Sequence, residues 1–98
     1  MRANLRALRQ RLPAADSLCR YDEIARLLTG SATATAEAGI EWVRKLVADL
    51  RIPSLGHYGL QPEHTAELVQ KAFQASSMKA NPIPLTPDEL TEILDRTL

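Results

Sequence analysis

The sequence predicts an all-α protein of about five helices. Three observations carry this. Apolar residues recur at helical spacing in separate segments, the connections between those segments contain Pro and Gly, and the chain is 45% hydrophobic but only 4% aromatic. A core drawn from Leu, Ile, Val and Ala favours helices packed on helices. With 98 residues the chain supports one core, so a single helical domain over residues 1–98 is expected.

The first segment places Leu5, Leu8 and Leu12 on one stripe and Arg2, Arg6 and Arg9 on another, an amphipathic helix stopped near Pro13. A linker at Pro13-Ala-Ala-Asp-Ser precedes a second helix, traced by Tyr21, Ile24, Ala25 and Leu28 and closed by Gly30, which tolerates the left-handed cap conformation. From about Thr33 to Arg51, a third helix aligns Ala36, Ile40, Val43, Leu46, Val47 and Leu50, and this is expected to be the main core helix. Gly39 interrupts it at a cost of about 1 kcal/mol relative to Ala, marking either a close helix crossing or a weak first turn. Trp42 lies one position off the main stripe, at a helix edge or an interface.

Ile52-Pro53 ends that helix, because the proline ring disfavours helical geometry at the residue before it, and Ser54 to Leu60 forms a loop. Pro62 then suits a first helical position, with Glu63 and Glu67 at the positive end of a helix through Ala66, Val69, Ala72 and Phe73 that frays near Ser76-Ser77. The last helix has the clearest start. Thr86 is its N-cap, Pro87 its first residue and Glu89 the reciprocal member of a capping box, with Leu85 and Leu90 placed to staple the entry.

Twelve Lys and Arg balance twelve Asp and Glu, so the average charge favours neither nucleic acid nor an anionic membrane as partner. The neutral total hides a gradient: residues 1–51 hold nine basic and six acidic side chains, residues 61–98 three basic and six acidic. The arginine stripe of the first helix reads as solvated charge rather than a phosphate-binding surface. A lone Cys19 closes no intrachain disulfide and fits a reducing compartment, with the cytoplasm as the default. No apolar run has membrane-spanning length, and Arg6, Arg9 and Arg11 interrupt any signal-peptide core.

No catalytic constellation emerges from the residues. His57 and His64 match no metal-ligand spacing, Ser76-Ser77 lacks a nucleophile-elbow pattern, and the four glycines form no phosphate loop after a strand.

The segment QASSMKANPIPLTPDELTEIL, Gln74 to Leu94, resembles the end of the iron-containing alcohol dehydrogenases. Met1-Arg-Ala-Asn4, the Tyr-x-x-Ile-Ala-x-Leu-Leu of Tyr21 to Leu28, Arg51-Ile-Pro-x-Leu and Tyr58-Gly-Leu60 agree in the same order, so the resemblance covers nearly the whole chain. It implies the C-terminal helical part of a dehydroquinate synthase-like fold. Complete members of that family bind NAD(P) on a separate α/β domain. They hold a catalytic iron or zinc with an Asp and three His, all located before the segment that resembles Met1 to Asn4.

The resemblance therefore implies a catalytically incomplete helical fragment or subunit, with neither cofactor nor metal expected for this chain by itself. Its partner would be a separate dinucleotide- and metal-binding domain. The start at Met1 matches an internal Met of the family pattern and leaves open a gene remnant, a split-enzyme subunit or a separately expressed domain. The alternative is a helical protein–protein interaction module or a self-associating domain, a homo-oligomer that covers its exposed apolar surface. Within the resemblance, Ser77, Lys79 and Asn81 are the candidates for cofactor or substrate contact; without it, they sit in a turn between two helices.

Overall fold

The computed structural model describes all residues, 1–98, and contains no strand. Five α-helices follow in order: α1 (Arg2–Arg11), α2 (Asp16–Thr29), α3 (Ala36–Asp49), α4 (Thr65–Gln74) and α5 (Pro87–Asp95). Three 3-10 turns, at Leu55–Tyr58, Pro62–His64 and Ser76–Ala80, punctuate the second half. The all-α fold is the one the helical spacing predicts. The chain's contacts fall into two compact units, Met1–Ile52 and Pro53–Leu98.

In the first unit α2 and α3 form the principal helix pair and α1 packs on α2. Leu5, Ala7 and Leu8 of α1 are buried, as are Ala25, Ala34 and Ala36. Asn4 Nδ2 donates to the Tyr21 hydroxyl at 3.0 Å, tying α1 to α2. The start of α3 is capped from another helix: Asp22 Oδ1 accepts the Ala36 N–H at 2.8 Å. That carboxylate satisfies one of the orphan donors of the first turn and puts negative charge at the positive end of the helix.

Gly39 resolves in favour of a close crossing. A Cβ at that position would lie 2.9 Å from Ala25 Cβ and 3.0 Å from Ala25 Cα, so two small residues let α2 and α3 approach almost backbone to backbone. The end of α2 is the expected one, whereas α3 ends at Asp49, ahead of Ile52-Pro53. Gly30 closes α2 at φ 71° while its N–H donates to the Arg26 carbonyl. At the end of α3, Arg51 takes the left-handed position at φ 53°. Its N–H donates to Ala48 and that of Ile52 donates to Val47, the paired bonds of a Schellman motif.

Three expectations need correction. α2 begins at Asp16, inside the stretch read as a linker, with that aspartate at the favourable positive end. α3 is not the main core helix, because only Ala36 and Gly39 of it are buried. Trp42 is 38% exposed, Val43, Leu46 and Val47 are close to it, and Leu50 reaches 62%. Period identifies an apolar face; it does not say whether this chain supplies anything to cover it. Phe73, read as part of the inner stripe of α4, is 57% exposed for the same reason.

The second unit pairs α4 with α5 around Val69, Ile83, Leu85 and Leu90, all buried. Pro62 opens a 3-10 turn that runs into α4. The capping box of α5 forms as expected: Thr86 Oγ1 accepts the Glu89 N–H at 3.2 Å and Glu89 Oε2 accepts the Thr86 N–H at 2.8 Å. The last residues fold back on the loop after Pro53, where the Leu55 N–H donates to the Thr97 carbonyl at 2.7 Å. A Cβ at Gly56 would meet the Leu98 main-chain oxygen at 2.8 Å. No helix is long and apolar enough to cross a membrane.

Candidate functional site

The segment Ser76–Ala80 owes its shape to what brackets it. α4 stops at Gln74, Ala75 is extended, and a 3-10 turn carries the chain to Asn81, where Pro82 prevents further helix. Asn81 Nδ2 donates to the Ile83 carbonyl at 2.7 Å, and buried Ile83 and Leu85 anchor the extended stretch that follows. The result is a groove of about 230 Å³, walled by Phe73, Met78 and Leu85 and rimmed by Gln74, Lys79 and Asn81.

Of the three candidate residues, Lys79 and Asn81 line this groove together, whereas Ser77 does not. Phe73, Met78 and Leu85 also line the groove, but the sequence reading took Phe73 for a core residue of α4 and Leu85 for a helix staple, and none of the three for a site residue. Their signals were those of packing, the helical spacing of Phe73 and the position of Leu85 just before the α5 cap. Chemically the groove offers an ammonium, two amides and an apolar wall, which suits binding and orientation of a ligand. No hydrogen bond joins Ser76 or Ser77 to a histidine, so the site lacks a nucleophile–base pair.

The histidines are engaged locally. His64 Nδ1 accepts the Gln61 N–H at 3.0 Å, completing a capping box for the Pro62 turn. His57 stacks edge-on against Tyr58 with ring centres 5.2 Å apart. Cys19 is exposed on α2, and no group of three or more His, Cys, Asp or Glu side chains is placed to hold a metal ion.

A second groove, of about 400 Å³, lies between α1 and α3, where Arg2, Arg6 and Arg9 face Glu37 and Glu41 above Leu5. Arg9 and Glu37 form an ion pair across it. Hydrogen bonding to Glu37 holds the Arg9 guanidinium even more firmly protonated, and the same bond, helped by a backbone N–H, pulls the Glu37 carboxyl below its ordinary range. Glu41 is drawn to Arg44 at 2.7 Å. The cationic side of the groove therefore belongs to α1.

The family model for the Fe-containing alcohol dehydrogenase family, C-terminal, matches residues 3–98. No curated protein and no solved structure is similar enough to count as a match. The residues present do not fit an iron site: His64 already serves a helix cap, and no three donor side chains converge.

Proposed function

The chain belongs to the Fe-containing alcohol dehydrogenase family, as its C-terminal part, and from that premise we propose that it is a catalytically incomplete helical subunit or domain. It works against a dinucleotide- and metal-binding part that lies outside residues 1–98. The observation that carries this reading is the uncovered face of α3. Val43, Leu46, Val47 and Leu50 share a stripe that the rest of the chain leaves 37–62% exposed, and contiguous apolar surface of this kind marks a face made for another body.

In this reading the catalytic cation and NAD(P) are held by the complementary part. The groove of Lys79 and Asn81 then contributes polar contacts to cofactor or substrate where the two parts meet. The ammonium of Lys79 suits a phosphate or carboxylate, and the turn held by Asn81 and Ile83 fixes the rim on which it stands. A reducing compartment, the cytoplasm, suits the exposed thiol of Cys19.

The test is reconstitution. The purified chain, supplied with NAD(P) and iron or zinc, is expected to leave alcohols unoxidised. Adding a dinucleotide- and metal-binding domain of the same family is expected to give a stable complex and turnover. Turnover by the chain without it would overturn the catalytic incompleteness, and failure of the two to associate would overturn the partnership.

A further inference from the structure

The charge gradient of the sequence falls on the boundary between the two units. Met1–Ile52 carries nine basic and six acidic side chains and Pro53–Leu98 carries three basic and six acidic, so the units have equal and opposite excess charge. The excess is organised on helices. On α1, Arg2, Arg6 and Arg9 stand at successive spacings of four and three residues, all exposed along one side of the groove. On α5, Asp88, Glu92 and Asp95 repeat the same spacings, with Asp88 and Asp95 exposed and Glu92 partly so. At 1.5 Å per residue each row spans roughly 10 Å, so one row matches the other charge for charge.

We propose that this chain self-associates, with α1 of one copy lying along α5 of a second. Arg2, Arg6 and Arg9 then face Asp88, Glu92 and Asp95. Each isolated surface pair contributes little, and two of these groups already have local partners, Glu37 for Arg9 and Arg96 for Glu92. Arg6 is engaged locally as well, so what favours association is the register of several opposite charges, which selects the partner and its orientation. Ile40 lines the same groove, so the contact has apolar surface to bury beside the charges. The proposal does not depend on a catalytic part being supplied.

The test is a charge swap read by sedimentation or light scattering over a dilution series. The natural chain is expected to associate at low salt and to weaken by roughly an order of magnitude as salt screens the rows. Arg6→Glu and Glu92→Arg, each at a surface position, are each expected to remain monomeric. Mixing the two variants in equal amounts restores association, because position 6 of each then meets an opposite charge at position 92 of the other. Circular dichroism confirms that both variants keep their helices. A natural chain that stays monomeric at low salt would overturn the proposal, as would single variants that associate like it or a mixture that fails to recover.

Discussion

Gly39 of α3 sits against Ala25 of α2 so closely that a methyl group at position 39 would come within 2.9 Å of the alanine Cβ. The obstacle is an alanine and its backbone, with no flexible side-chain end to swing aside. Gly39→Ala gains about 1 kcal/mol of helix propensity but overpacks the crossing, which costs about 1–3 kcal/mol. The variant is expected to be less stable to urea, and adding Ala25→Gly is expected to recover part of the loss. Equal effects of Gly39→Ala with and without the second change would show that the two positions are not coupled.

The two faces of the first unit should respond differently to truncation. Leu8 is fully buried, so Leu8→Ala is expected to cost about 2–5 kcal/mol. Leu50 is 62% exposed, so Leu50→Ala is expected to stay within about 1 kcal/mol. Chemical denaturation of the two variants checks this, and comparable losses would mean that the α3 face is covered.

Arg51 holds a left-handed conformation that glycine adopts without a Cβ penalty. Because both Schellman hydrogen bonds are already made, Arg51→Gly is expected to raise stability by about 0.5–1 kcal/mol in thermal melts. Unchanged or lower stability would show that the arginine side chain compensates for its backbone.

Glu37 gives the first unit an acid-sensitive contact. Its carboxyl is held below the ordinary range mainly by the hydrogen bond from Arg9. A group whose folded pKa is depressed contributes stability above its unfolded pKa and loses it as the pH falls through the folded value. Unfolding midpoints should therefore decline below about pH 4, and Glu37→Gln should decline less. Both side chains are more than half exposed, so salt is expected to shrink the difference. Identical acid profiles for the two proteins would remove the pair from the account.

How much of this was legible in the sequence depends on whether the deciding interactions were local. The cap of α5 was readable because Thr86, Pro87 and Glu89 determine it within four residues, and Gly30 announced the end of α2 in the same way. Asp22 as the acceptor for Ala36 was invisible, since the two meet across helices 14 residues apart. The burial of α3 was misread because spacing shows which residues share a face, while the covering surface is a property of everything else. Of the three residues that the resemblance offered, Lys79 and Asn81 line one groove and Ser77 does not. A 3-10 turn distributes neighbouring side chains around its axis, and the sequence carried no sign that this segment would wind that way.

On the proposed reading the chain supplies helical surface and leaves cofactor and cation to another part. Calorimetric titration of the purified chain with NAD or NADP, and separately with ferrous or zinc ions, tests it most directly. No saturable heat is expected in either titration, and stoichiometric, tight binding of both would contradict the proposed reading.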